Sequence, residues 1–176
     1  MYVVEARNVN DALEKGIAIL KMDGREEDSR NGPVITMPGP VITVYECPWE
    51  RALISATRDA NPFFAMFEAL AFLAGENRLA PYAKYVKRML EYSDDGEHLH
   101  GAYGFRWIEW FGFNQLRFLI DHLREYPNSR RAVLTMWSPL GDMIASEGVG
   151  GIASKDIPCN TQAYFRKRGN KLDLTV

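Results

Sequence analysis

Asn61-Pro62-Phe63-Phe64-Ala65-Met66-Phe67-Glu68-Ala69-Leu70-Ala71-Phe72-Leu73-Ala74-Gly75 is the stretch from which the rest of the chain is read. Asparagine is a good helix cap, proline suits the first helical position, and glycine ends a helix readily because it tolerates the left-handed conformation. Between these signals every residue but Glu68 is apolar, and a helix apolar on all sides is expected to be buried. The lone carboxyl has two readings. It faces a cavity, with a raised pKa suited to general acid work, or it occupies the one wet stripe of the helix.

Other elements flank this helix. Asn8 to Leu20 carries Ala12, Leu13, Ile17 and Leu20 at helical spacing behind Asn10 and Asp11 as a cap, and Gly24 with the charged run Arg25 to Arg30 ends it. Gly32-Pro33-Val34-Ile35-Thr36 recurs as Gly39-Pro40-Val41-Ile42-Thr43, two β-rich pieces too short and isolated for a solenoid. Downstream, the pattern predicts helices from Pro81 to about Tyr92 and from Asn114 to Tyr126, the latter stopping before Pro127. Arg130 to Trp137 is β-rich, Ser138 to Asp156 reads as a glycine-containing loop, and Ala163 to Val176 as a hairpin turning at Arg168-Gly169-Asn170-Lys171. Val176 closes that alternating strand with no polar tail after it. Interleaved helices and strands make the class α/β or α+β.

The 176 residues, 47% hydrophobic and 25% charged, fit one soluble globular domain spanning 1–176. Twenty-one basic against 23 acidic side chains, without a block of one sign, give no sign of a nucleic-acid or membrane surface and favour a small-molecule or protein partner. With two cysteines and no apolar leader or membrane-length span, the expectation is a cytoplasmic protein with reduced thiols.

The candidates for chemistry are few. Cys159, in Asp156-Ile157-Pro158-Cys159-Asn160 at the mouth of a strand, is either a small buried apolar residue or a nucleophile activated by cations such as Lys155, Arg166 and Lys167. Arg30, Arg130 and Arg131 stand beside Ser29 and Ser129 at the edges of β segments, as solvated surface or as phosphate ligands. Tyr103, Phe105, Trp107 and Trp137 form an aromatic cluster readable as core. His98 and His100 have no partners at zinc-site spacing, no Gly-x-Ser-x-Gly elbow exists, and Cys47 sits in no catalytic motif.

In order along the chain, Ser29-Arg30-Asn31-Gly32, Asn61-Pro62 with Phe67-Glu68-Ala69-Leu70 and Leu73-Ala74-Gly75-Glu76-Asn77, Gly101-Ala102-Tyr103-Gly104-Phe105-Arg106-Trp107, Ser129-Arg130-Arg131, and Asp156-Ile157-Pro158-Cys159-Asn160 resemble the thymidylate synthase family, which includes the deoxypyrimidine nucleotide hydroxymethylases. The resemblance covers nearly the whole chain and is nearest to the divergent branch common in phages and bacteria. It implies a three-layer α/β fold with a mixed sheet, a homodimer, and transfer of a one-carbon unit from 5,10-methylenetetrahydrofolate, without a metal, to C5 of a pyrimidine deoxynucleotide, dUMP first. Cys159 is then the nucleophile that adds to C6, Glu68 a proton relay, and Tyr103 an organiser of water for proton removal at C5. Arg30 holds the nucleotide phosphate, Arg130 and Arg131 reach the partner's phosphate, and Asn160 is on the nucleotide side. Two departures stand out: Asp156 replaces an apolar residue beside the folate and base, where it would help water add and give a hydroxymethyl product, and Asn160 replaces a histidine. The family's next segment, with a further phosphate arginine and the base-reading group, does not follow Val176. The resemblance therefore implies a C-terminally incomplete domain, and the alternatives are a dUMP or dCMP hydroxymethylase and an inactive remnant that binds nucleotide or a partner chain.

Overall fold

The computed structural model describes residues 1–29, 32–56, 58–143 and 154–176, and divides into two compact units, Met1–Pro62 and Phe63–Val176. In the first, β1 (Tyr2–Ala6) pairs in parallel with β4 (Val41–Tyr45), and β2 (Arg25–Glu27) pairs antiparallel with β3 (Val34–Thr36). The repeated Gly-Pro-Val-Ile-Thr segments thus supply strands to two different sheets, which removes any structural repeat. Helix α1 (Val9–Asp23) is capped by Asn8 rather than by Asn10 or Asp11: the Asn8 side chain accepts from the backbone N–H groups of both. Asp11 instead accepts from the Arg7 N–H and from Lys15. Gly24 ends the helix as expected, its N–H donating to the Leu20 carbonyl.

The second unit opens with α2 (Pro62–Ala74), whose bounds match its sequence signals. Gly75 at φ 69° and two hydrogen bonds, Gly75 N–H to Phe72 O and Glu76 N–H to Ala71 O, close it with a Schellman cap. The helix is not buried on all sides. Phe64, Phe67 and Ala71 pack into a core with Leu79, Tyr82, Leu99 and Ala102, while Phe63, Met66, Leu70 and Leu73 stay 60–68% exposed. Those four positions recur at helical spacing, so one face is covered and the opposite one is not.

The Pro81 to Tyr92 helix is broken. Residues Leu79–Ala83 form α3, Val86 is extended at φ −134°, and Lys87–Tyr92 form a separate 3₁₀ turn. The break at a β-branched residue lets Tyr82 enter the core from one turn while Met89 and Tyr92 pack on the same cluster from the next. Helix α4 (Tyr103–Phe105) runs on into a wide turn, Arg106–Trp110. Helix α5 (Gln115–Glu125) is capped by Asn114 and ends before Pro127, as its sequence predicts.

A second core joins Leu119 of α5 to Ala132, Leu134, Met136 and Ala163 of an antiparallel sheet in the order β5 (Val133–Thr135), β6 (Gln162–Arg168), β7 (Lys171–Thr175). The predicted hairpin is present: Arg168 pairs with Lys171 around Gly169, which takes a φ of 61°. Leu172, Leu174 and Val176 are exposed. The segment read as a loop from Ser138 contains a helical turn, Pro139–Met143, because Ser138 and Asp142 bond one another through backbone and side chain; residues 144–153 of that reading lie outside the described residues. Phe105 packs on the first core and Tyr103 and Trp107 on the second, so these three aromatics serve as core, and one short segment ties two cores together; Trp137 belongs to neither cluster. Among the described residues no helix is long and apolar enough to cross a membrane.

Candidate functional site

Cys159 is exposed, not the small buried residue that its local pattern favours. It sits between buried Pro158 and the start of β6, on a segment pinned along its length. Ser154 Oγ donates to Asp94 at 2.6 Å, and the Lys155 N–H donates to the same carboxylate at 3.1 Å. Asp156 Oδ2 accepts the Gly101 N–H at 2.8 Å, and the Asn160 N–H donates to the Tyr103 hydroxyl at 3.2 Å. The Thr161 carbonyl then accepts from Met136 and Trp137. Asp156 and Asn160, which bracket the Cys159 thiol, are therefore both tied to one short stretch, Gly101 to Tyr103. Lys155, a candidate activator of the thiol, is turned toward the Ser93 carbonyl at 3.4 Å.

That stretch is fitted against α2. A Cβ on Gly104 would lie 2.4 Å from Phe72 O and 2.5 Å from Phe72 Cα, so only glycine lets the two backbones approach. The Tyr103 ring meets Phe72 edge-on at 5.5 Å. Glu68 is four residues before Phe72 and so lies on the same side of α2. Its carboxyl is half-buried, and burial raises its pKa. Tyr82, pushed up to about 12 by burial and then by the negative fields of Glu68, Glu76 and Asp156, lies within electrostatic reach of both site carboxylates. Burial also raises the pKa of Asp156, against the lowering effect of the Gly101 N–H and of His100 and Arg106. Glu68, Tyr103, Asp156, Cys159 and Asn160 are thus joined through α2, Gly101–Tyr103 and the segment before β6.

Of the three candidate arginines, two stand apart from Cys159. Arg30 lies outside the described residues. Arg130 and Arg131 are exposed before β5, at the end of the β5–β6 pair away from Cys159. Arg131 lines an open groove of about 760 Å³ with Phe118, His122, Tyr126 and Ser129. Arg130 and Arg131 do not reach Cys159 of the same chain.

A group that the sequence did not single out sits beneath the site. Arg106 and Asp142 are completely buried and paired through both guanidinium nitrogens, at 2.8 and 2.9 Å. The remaining guanidinium N–H bonds go to the carbonyls of His100, at 3.0 and 3.1 Å, and Met136, at 3.0 Å, and the Trp110 ring lies 4.0 Å from the guanidinium carbon. His100 Nε2 lies 2.8 Å from Asp142 Oδ1. Burial pushes the Asp142 carboxyl up, but hydrogen bonds from Arg106, the Ser138 N–H and His100 outweigh it and hold the group below its usual range. The only signal in the sequence was an arginine inside an otherwise aromatic run; the aspartate lies 36 residues away in a stretch that reads as loop. His98 pairs with Asp95, and no cluster able to hold a metal occurs among the described residues.

The thymidylate synthase family model matches residues 16–176. A deoxyuridylate hydroxymethyltransferase of Pseudomonas phage M6 is 46% identical over 177 aligned residues, covering 100% of this chain and 48% of that protein. The deoxyuridylate hydroxymethyltransferase of Bacillus phage SP01 is 34% identical over 147 residues, 78% of this chain and 37% of that protein. The crystal structure of thymidylate synthase from T4 phage aligns with a TM-score of 0.59 at 19% identity, covering 92% of this chain and 59% of that one, and shows the fold. The chain spans about half the length of the phage relatives it matches.

Proposed function

The chain belongs to the thymidylate synthase family, and on that premise we propose that it serves a transferase that moves a one-carbon unit from 5,10-methylenetetrahydrofolate to C5 of dUMP. The Cys159 thiolate adds to C6 and makes C5 a nucleophilic enolate carbon. C5 bonds the methylene carbon of the folate and loses its proton to water ordered by Tyr103, and Glu68 relays protons to the ring carbonyl and to the folate nitrogen, which leaves as its bond to that carbon breaks. The exocyclic methylene so formed takes water to give a hydroxymethyl group, or hydride from the departing folate to give a methyl group, and Cys159 leaves as the C5–C6 double bond re-forms. The observation that carries this reading is the fixing of an exposed thiol between two residues tied to the Tyr103 stretch, which itself packs on the helix bearing Glu68.

Of the two products, the hydroxymethyl one is favoured here, reversing the order in which the sequence alone ranks them. Asp156 puts a half-buried carboxyl three residues before the nucleophile, where it supports water adding to the exocyclic carbon, and the phage relatives bear the matching name. The distance between Cys159 and the exposed Arg130 and Arg131 fits a homodimer in which those arginines hold the partner's nucleotide phosphate, while Arg30 holds the phosphate in its own chain and Asn160 contacts the nucleotide. The two compact units are read as parts of one thymidylate synthase-like domain of a cytoplasmic enzyme. That the chain spans about half the length of its relatives supports a second reading, a piece that binds nucleotide or a partner chain without turnover.

Mass spectrometry of dUMP and dCMP after incubation with methylenetetrahydrofolate tests the assignment. A gain of CH₂O on dUMP supports hydroxymethylation, a gain of CH₂ supports methylation, and bound but unchanged nucleotide supports the inactive piece.

A further inference from the structure

We infer that Arg106 and Asp142 are positioning residues for Cys159, acting through the backbone of His100 to Tyr103; this rests on the reading of Cys159 as the nucleophile. The chain of contacts is continuous. Guanidinium has five N–H donors, and every one is engaged: two on Asp142, two on the His100 carbonyl and one on the Met136 carbonyl. Arg106 has no donor left for a substrate and no exposed surface to offer one. What it fixes is the His100 carbonyl, and that peptide continues into the Gly101 N–H held by Asp156.

The fit at Gly101 transmits position closely. A Cβ there would stand 3.1 Å from each of the Asp156 carbonyl oxygen, Asp156 Oδ1 and the Pro158 nitrogen, so the two segments touch over the residues just before the thiol. On the other side of the thiol, Tyr103 receives the Asn160 N–H. The Met136 carbonyl ties the same guanidinium to the strand end whose next N–H groups bind Thr161. The buried pair therefore holds both backbones that bracket Cys159. A pair with every donor and acceptor engaged is rigid, and a displacement of about 1 Å in a reacting group costs on the order of a hundredfold in rate.

The test is amide hydrogen exchange of the full chain, with and without dUMP, in wild type and Arg106→Lys, which keeps the charge beside Asp142 and loses the fork on His100. Exchange at Gly101 and Asn160 is expected to rise roughly tenfold or more while the β6–β7 hairpin is unchanged. Release of tritium from C5 of dUMP is expected to fall by about ten- to a hundredfold in kcat with KM little altered. Wild-type exchange at both amides in a folded Arg106→Lys protein overturns the inference. If the lysine variant does not fold, Gly101→Ala leaves the ion pair intact and crowds the Asp156–Pro158 backbone. Faster exchange at Asn160 then supports the inference, and unchanged exchange overturns it. If wild type releases no tritium, the enzymatic reading fails, and the exchange result still decides whether this pair fixes the segment around Cys159.

Discussion

Replacing Asp142 with asparagine keeps the side-chain shape and removes the negative charge that faces Arg106. Both residues are fully excluded from water, so the guanidinium is left charged with no counter-ion. Three of its five hydrogen bonds, to the His100 and Met136 carbonyls, survive the change, and one of the two bonds to residue 142 is lost because an amide nitrogen cannot accept it. Removing one partner of a buried ion pair costs about 3–5 kcal/mol, a large share of the ~5–15 kcal/mol by which domains are stable. At a urea m-value of about 2 kcal/mol/M, the midpoint should fall by roughly 1.5–2.5 M. Arg106→Met with Asp142→Leu removes both charges, and should be less destabilised than the sum of the two single changes. The pH dependence has a defined sign. The folded Asp142 pKa is depressed below its ordinary 3.8, so its stabilisation is present above about that pH and is lost as pH falls through the folded value. Asp142→Asn should therefore weaken acid unfolding relative to its own neutral stability. Urea titrations at neutral and acid pH measure both effects, and an asparagine variant within about 0.5 kcal/mol of wild type at neutral pH refutes the reasoning.

The other predictions concern α2 and the thiol segment. Gly104→Ala forces its methyl against the Phe72 backbone and should cost about 1–3 kcal/mol in thermal or urea unfolding; a neutral alanine would show that the two backbones are not in close contact. Glu68→Gln should abolish turnover yet slightly stabilise the fold at neutral pH. The raised folded pKa of Glu68 means that wild type is penalised as pH rises from its unfolded value of 4.5 through its folded value, and the gain should vanish below that window. A glutamine variant less stable than wild type at neutral pH contradicts the burial assigned to the carboxyl. Tyr103→Phe removes the acceptor of the Asn160 N–H and should accelerate exchange of that amide without unfolding the hairpin; an unchanged rate would show that the hydroxyl does not hold the segment.

What the sequence made legible depended on how local the signal was. Asn61-Pro62 and Gly75 bound α2 correctly because caps and breakers act within a few residues, and the same holds for Asn114 and for the Gly169 turn. The exposed face of α2 was not legible, because composition says that a helix can be buried and only packing says which sides are. The break at Val86 was hidden by an amphipathic pattern that a helix and a helix followed by a 3₁₀ turn both satisfy. Glu68 stood out as one carboxyl in an apolar run, and Cys159 became notable through the ordered motifs around it rather than its own neighbours. The Arg106–Asp142 pair could not be foreseen, since its two halves come from an aromatic segment and an apparent loop that only tertiary structure brings together.

The central claim, that Cys159 attacks a pyrimidine nucleotide, is tested most directly by release of tritium from C5 of dUMP. Wild type should release it, because addition at C6 labilises the C5 hydrogen, and Cys159→Ser, folded to the same degree, should not. Release by the serine variant at the wild-type rate, or from neither protein, would contradict the account.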